Sequence, residues 1–237
     1  GLFTVQNIAA DFGRWEFGLR FERQHFDPQV INDPAVPYVD IGNRRVTFQT
    51  DPGSRKYNLF SLAGAAVIEL DPQRELQLRV SRSEAAPGPE QLYAFGRHAA
   101  ADTFEVGNPD LAKEVYLNTE ATLSGQQGAL SYDVTAFFNW VDDFIYLGFT
   151  PDADGAPLRV DADGNADPSG NLLVENRQSN ARFYGLELHA AWQAENTPLP
   201  LTLRMDADYL RGKLSGGENL PRITPPRVGV GVDIQWQ

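Results

Sequence analysis

The chain has 237 residues, no Cys, and 20 Lys and Arg against 32 Asp and Glu, a formal net charge of −12. The lack of Cys excludes a disulfide framework and a thiolate metal site, and the acidic balance argues against nucleic acid, whose partners carry basic patches. No run of about 18 apolar residues occurs, which excludes a membrane-spanning helix.

Taken in chain order, strand-like stretches alternate with joins that are short, then long. The first strand covers about Leu2–Ala9 and alternates weakly; a short join at Ala10–Gly13 leads to a row of Trp15, Phe17, Leu19 and Phe21. A long join, Asp27–Lys56, precedes a third strand at about Tyr57–Leu70, and the short join Asp71–Gln73 leads to Leu76, Leu78 and Val80. After the long join Glu84–Lys113 come Leu117, Thr119, Ala121 and Leu123. The short join Gly125–Gly128 then gives Leu130, Tyr132, Val134, Ala136, Phe138 and Trp140. The long join Gly148–Asn180 leads to Tyr184, Leu186, Leu188, Ala190 and Trp192, and the short join Glu195–Leu199 to Leu201, Leu203, Met205, Ala207 and Tyr209. A last long join, Leu214–Pro225, ends at Val228, Val230, Val232, Ile234 and Trp236.

Side chains of a strand face opposite sides in turn, so each apolar row is interleaved with a polar one. One such pair is Leu201–Tyr209 against Thr202, Arg204, Asp206 and Asp208. A soluble antiparallel sheet also reads apolar-in and polar-out. Two features favour a membrane instead. The runs exceed the usual strand of about 5 or 6 residues and match the roughly 9 to 11 that a tilted spanning strand needs. Trp15, Trp192 and Trp236 lie near the short-turn ends, where an aromatic girdle sits. Tight turns at one end and extended loops at the other are the mark of a transmembrane barrel.

The fold expected is all-β: an antiparallel up-and-down transmembrane β-barrel segment of roughly nine strands, with short periplasmic turns and long extracellular loops. Nine is odd, and an unpaired strand edge is not tolerated in hydrocarbon. Residues 1–237 are therefore expected to form part of a single, larger barrel domain.

The stretch Ser81–Glu114 (SRSEAAPGPEQLYAFGRHAAADTFEVGNPDLAKE) resembles the strand-to-loop signature of TonB-dependent outer-membrane receptors, in which an APxxxELY turn is followed by an ExGNPDLxxE segment. Asp142–Leu147 (DDFIYL), Arg182–Leu188 (RFYGLEL) and Asn219–Val232 (NLPRITPPRVGVGV) fit the same family in the same order. The resemblance implies a barrel of about 22 strands with a plugged lumen in the outer membrane of a Gram-negative bacterium, surrounded by lipid and energised by the TonB complex. The plug domain and the final strands are expected to lie outside this chain.

The Tyr93-x-Phe95-Gly96-x-His98 centre is similar to the branch of the family that takes up metal ions such as zinc, or haem. Tyr93, His98, Asp102 and Glu105 are the implied extracellular ligand-binding residues, with a metal ion, an iron chelate such as a siderophore, or haem as cargo. Imidazole and carboxylate suit Zn²⁺, and His25, at a strand-to-loop edge, is a second candidate for the same mouth. The alternative for His98 is a polar residue on a solvated loop, since no paired histidine spacing accompanies it. His189 lies on the polar row and reads as a wall residue. Asp161, Asp163, Asn165 and Asp167 resemble the start of a calcium loop, but Gly164 falls two positions early and Leu172 stands where a bidentate Glu belongs. A turn-rich acidic loop is the competing reading.

No hydrolase, protease, nucleotide-binding or Cys-nucleophile motif is present, so an enzyme is not expected. The sequence reads as part of an active uptake receptor, against a passive porin-like segment and a soluble all-β binding module.

Overall fold

The computed structural model describes residues 1–28, 39–41, 44–46, 53–152, 154–194, 200–221 and 223–234. The elements in chain order are β1 (Leu2–Ala10), β2 (Gly13–Phe26), β3 (Val39–Ile41), β4 (Arg44–Val46), β5 (Arg55–Asp71), β6 (Arg74–Ala85), α1 (Pro89–Tyr93), β7 (Phe95–His98), β8 (Thr103–Val106), β9 (Glu114–Gln127), β10 (Leu130–Phe149), β11 (Arg159–Val160), β12 (Asn171–Ala194), β13 (Leu201–Leu214) and β14 (Arg227–Ile234). Nine of them form an up-and-down wall in the order β1-β2-β5-β6-β9-β10-β12-β13-β14. Every neighbouring pair along it is antiparallel. The sheet is open, with β1 and β14 as its edges. The expected Glu195–Leu199 turn, Trp236 and most of the Asp27–Lys56 join lie outside the described residues.

The short turns are two-residue links: Asp11–Phe12, Pro72–Gln73 and Gly128–Ala129. Gly128 takes φ 58°, a left-handed conformation that suits glycine. At the other end the strands outrun the prediction. β10 has 20 residues and β12 has 24, so both rise well beyond the length that crosses a bilayer. Much of what reads as loop in sequence is this upper sheet, extended by β7, β8 and β11.

Registers place the apolar rows on one surface. Trp15, Phe17 and Leu19 stand opposite Ala66, Gly64 and Leu62. These in turn face Leu78, Val80 and Arg82 on β6. The outward side chains stay exposed: Trp15 is 42 % accessible, Phe17 47 %, Leu186 54 % and Val230 76 %. A soluble sheet would bury such rows against a second layer. Here the buried apolar clusters centre instead on residues at the long-loop end: Phe104, Val106, Val160 and Leu173; Val141, Ala181, Leu214 and Leu220; Leu92, Leu111 and Ile145.

The opposite rows are polar and internally paired. Arg14 meets Glu16 and Glu75, Arg79 meets Glu120, Arg204 meets Asp233, and Arg227 meets Asp208. Thr122 and Thr135 share a 2.9 Å hydrogen bond, and the Ser124 hydroxyl donates to Asp133 at 2.6 Å. His189 lies on this lumen row, with Nδ1 2.8 Å from Asp206. A charged lumen and an apolar exterior are the arrangement that a transmembrane barrel requires.

One irregularity separates wall from upper sheet. Val141 pairs with Ala181, but the next pair is Phe144 with Ser179, so β10 carries one extra residue. Asp143 absorbs it at φ 57°, its N–H donating to Asn180 Oδ1 and its carbonyl accepting from Gln178 Nε2. The bulge reverses which β10 residues face each side.

Candidate functional site

The segment between β6 and β9 is a strap laid across the extracellular end of the wall. Pro89 opens α1, where a missing N–H costs nothing, and Gln91 Oε1 accepts the Gly88 N–H at 2.7 Å. This short turn drives Leu92 into full burial against Leu111 and Ile145, with Phe26, Tyr57 and Tyr93 around them. The chain returns at Gly107, whose N–H donates to the Ala94 carbonyl at 2.6 Å, and the next N–H, of Asn108, donates to Gln91 at 2.8 Å. A Cβ at Gly107 would lie 2.6 Å from backbone atoms of Leu92 and Tyr93, so the return is closed to larger residues.

Both flanks of the strap are tied to the wall. On the β5 side, Arg55 donates to the Pro109 carbonyl at 2.5 Å and pairs with Asp110 at 3.3 Å, while the Tyr57 hydroxyl donates to the Leu111 carbonyl at 2.9 Å. On the β12 side, Gln178 brackets Ala112, accepting its N–H at 2.9 Å and donating to its carbonyl at 3.0 Å. At the base of the strap, Lys113 and Arg82 both bind Glu84, whose carboxylate accepts the Phe60 N–H at 3.0 Å where the β5–β6 pairing has ended.

Beyond α1, β7 and β8 form a hairpin, and β8 adds to the top of β12 in parallel, Thr103–Val106 alongside Leu172–Glu175. Phe104 and Val106 are fully buried there. The hairpin holds His98 opposite Thr103, and His98 Nδ1 lies 2.9 Å from Glu105 Oε1, which also accepts the Thr103 hydroxyl at 3.2 Å. A carboxylate only accepts, so Nδ1 is the donor in this contact and Nε2 is the nitrogen turned away from it, the orientation found in histidines that ligate metals. The imidazole is more than half exposed.

Next to this pair lies a cleft of about 400 Å³. Its walls are Gln91, Thr103 and Glu105 from the strap, Phe144, Tyr146 and Phe149 from β10, Val174 and Phe183 from β12, and Leu220 and Ile223 from the segment before β14. Three larger hollows, of about 670, 870 and 430 Å³, are lined by wall strands and periplasmic turns rather than by the strap.

The structure treats the sequence candidates differently. Glu105 and His98 are brought together. Asp102, at φ 53°, instead accepts the Asn171 amide at 2.6 Å and fixes the hairpin to β12. Tyr93 is a packing residue whose hydroxyl donates to the Gly53 carbonyl at 3.4 Å. His25 does not join His98. It continues the odd-numbered row of Trp15, Phe17, Leu19 and Phe21, in unbroken register with β5, and so faces outward. Among the described residues, no three His, Asp or Glu converge as a metal cage.

The acidic loop is a set of turns stapled by its own carboxylates. Asp161 Oδ1 accepts the N–H groups of Asp163 and Asn165, at 2.9 and 2.8 Å, and Asn165 Nδ2 reaches both carboxylate oxygens. Asp152 and Asp167 accept neighbouring N–H groups in the same way. Hydrogen bonds from Asn165, backbone first, hold the Asp161 carboxyl below its ordinary range. A depressed carboxylate contributes stability above its unfolded value and loses it as pH falls through the folded one. Asp161→Ala is therefore expected to speed amide exchange across 161–170 several-fold at neutral pH, with the difference from the parent vanishing in acid. Equal exchange at neutral pH would show that the staple does not order the loop.

Sequence reasoning missed Arg55, Tyr57 and Gln178, which clamp the strap, and the aromatic cleft lining. Their signal was position: Arg55 and Tyr57 open a strand beside the strap, and Gln178 stands near the end of the next long join, Gly148–Asn180.

The nine-strand wall with its strapped mouth matches a family model, "TonB dependent receptor-like, beta-barrel", over residues 2–237. The chain belongs to the TonB-dependent receptor family. Its wall therefore lies in a Gram-negative outer membrane, with the long-loop end outside the cell. Among curated relatives, the heme/hemopexin utilization protein C of Haemophilus influenzae is 33 % identical over an alignment of 229 residues that covers 88 % of this chain and 30 % of that protein. Among solved structures, the copper transporter OprC aligns with TM-score 0.69 at 19 % identity, over 94 % of this chain and 30 % of OprC. The Serratia marcescens hemophore receptor HasR, solved with its hemophore HasA and heme, aligns with TM-score 0.57 at 19 % identity, over 84 % of this chain and 32 % of HasR. These structural likenesses concern the fold. The chain spans about a third of the length of the relatives it matches.

Proposed function

We propose that this chain supplies wall strands and part of the extracellular mouth of an active outer-membrane importer of metal-bearing cargo, with haem as the preferred cargo. The plug domain and TonB complex of the whole receptor provide gating and energy, and the chain itself has no catalytic step. The His98–Glu105 pair carries the reading. It presents an imidazole whose ring is oriented by a carboxylate, and that carboxylate, Glu105, lines a cleft together with Phe144, Tyr146, Phe149 and Phe183. Haem combines an apolar macrocycle with an iron that accepts an axial histidine, so an aromatic cleft and a carboxylate-oriented imidazole match its two parts. A bare divalent cation would need further ligands converging on the same point. The named substrate of the Haemophilus relative and the heme in the HasR complex are of the same chemical class.

The test is haem-dependent growth and haem binding by the full-length receptor with His98→Ala and Glu105→Gln. His98→Ala is expected to lose the Soret shift of ligated haem and to reduce growth on limiting haem at least tenfold. Glu105→Gln is expected to weaken binding about 10- to 100-fold, the usual cost of losing an orienting carboxylate. An unchanged Soret spectrum in His98→Ala would overturn the ligand assignment.

A further inference from the structure

Above the bulge, β10 loses its neighbour on one side. The β9–β10 register ends at Val115 and Asp142, while β10 continues to Phe149 alongside β12. A buried backbone N–H left over at such an edge needs another acceptor. For Ile145 that acceptor is a side chain: its N–H donates to Glu114 Oε1 at 2.8 Å, and the Tyr116 hydroxyl donates to Oε2 at 2.9 Å. The buried Glu114 carboxyl thus stands in for the missing strand. Ile145 belongs to the strap's own core with Leu92 and Leu111, and with its flanking residues Phe144 and Tyr146 it lines the cleft. One side chain therefore ties the cleft wall to the strap.

Glu84, on β6, does the same for β5, and the contrast is informative. Its carboxylate accepts the Phe60 N–H beyond the last β5–β6 pair, Leu62 with Arg82. Burial opposes ionisation there, yet hydrogen bonds from Lys113, Phe60 and Arg82 hold that carboxyl at about 2. Glu114 has no Lys or Arg within ion-pair distance among the described residues. Opposite it on β6 stands Ala85. The acids next to it on β6 and β10, Glu84 and Asp142, stand opposite Val115 and so on the other face of β9. Tyr57 of β5 and Tyr93 of the strap border the Ile145 cluster. Burial accordingly pushes the Glu114 carboxyl up, against the hydrogen bonds from Ile145 and Tyr116. Once protonated, Oε2 can donate to the Tyr116 oxygen while Oε1 still accepts from Ile145, so the contact survives without a buried charge.

We propose that Glu114 is a positioning residue of the cleft, a proton-set latch that holds β10 above the bulge against the strap and grips hardest when its carboxyl is neutral. The proposal rests on the cleft being the cargo site. A carboxyl raised in the folded state contributes stability that is full below its unfolded value and is lost as pH rises through the folded one. The strap is therefore expected to loosen from acid to neutral pH. The experiment compares the full-length receptor with Glu114→Gln, Glu114→Ala and Glu84→Gln, from about pH 5 to about pH 8. It reads amide exchange over 144–147 without cargo, and haem affinity. Expressing each variant as a ratio to the parent at the same pH cancels intrinsic exchange and the titration of His98. Glu114→Gln copies the neutral carboxyl. It is expected to match the parent in acid and to exceed it severalfold in protection and affinity at neutral pH. Glu114→Ala is expected to lose protection and about tenfold in affinity at every pH. Glu84→Gln is expected to give a ratio that does not change with pH. Should Glu114→Ala fail to show heat-modifiable migration, Glu114→Gln carries the same comparison. A Glu114→Gln ratio that stays flat with pH, or parental protection in Glu114→Ala, would overturn the latch. Altered protection with parental haem affinity would overturn the positioning role. A parent receptor that binds no haem would instead remove the cargo reading, and exchange over 144–147 then decides the latch by itself.

Discussion

Val134→Arg is expected to lower the folding stability of the receptor barrel by about 2–4 kcal/mol, roughly 30- to 700-fold in the folding equilibrium. Val134 stands mid-way along the outward row of β10, flanked by Leu123 and Leu188, and is exposed in the sheet. An arginine there must either sit in hydrocarbon or distort the bilayer to reach water. Its neighbour Thr135 faces the lumen, opposite Glu187. Thr135→Arg is expected to cost about 1 kcal/mol, the worth of the hydrogen bond to Thr122 that it removes. Urea-titrated folding of the full-length receptor into lipid vesicles measures both. Equal losses at the two sites would mean that the two faces of the wall do not meet different solvents.

The second large effect is expected at Gly107. Gly107→Val places side-chain carbon against the backbone of Leu92, Tyr93 and Ala94. Relieving that overlap must break the Gly107–Ala94 and Asn108–Gln91 hydrogen bonds that close the strap. Overpacking of this kind costs about 1–3 kcal/mol, concentrated in the strap rather than the wall, because the strap's core is the separate cluster around Leu92. The variant should therefore insert and show parental heat-modifiability while losing at least tenfold in cargo affinity. Gly107→Val with unchanged affinity would dissociate the strap from cargo binding.

These two sites also mark what the sequence made legible. The wall was readable because lipid and lumen impose a strict period of two: Val134 and Thr135 declare their faces without any tertiary information. His25 was misjudged as a partner of His98 at the mouth, although it extends the odd row from Trp15 and parity places it on the outward face. The strap announced itself through Pro89 and the GNPDL run, although the reason for Gly107 is a close approach visible only in three dimensions. The height of β10 and β12 was not legible. Above Asp143 the bulge reverses parity, protein replaces lipid as the neighbour, and the period-two signal has nothing to maintain it. The parallel addition of β8 to β12 joins residues around Thr103 to those around Leu172, a pairing that no local pattern encodes. The His98–Glu105 pair depended on that hairpin. The staples within the acidic loop, by contrast, follow from ordinary Asx-turn chemistry, in which an Asp side chain caps the N–H groups two and four residues ahead.

The single added residue at Asp143 lets one continuous strand serve two trades. Below it, β10 answers to the bilayer, and every second position must be greasy whatever the receptor imports. Above it, the alternation restarts with a new phase, so Phe144 and Tyr146 are free to change with the cargo while Phe138 and Trp140 are not. Specificity can then be rewritten from the bulge upward without touching the anchorage beneath it.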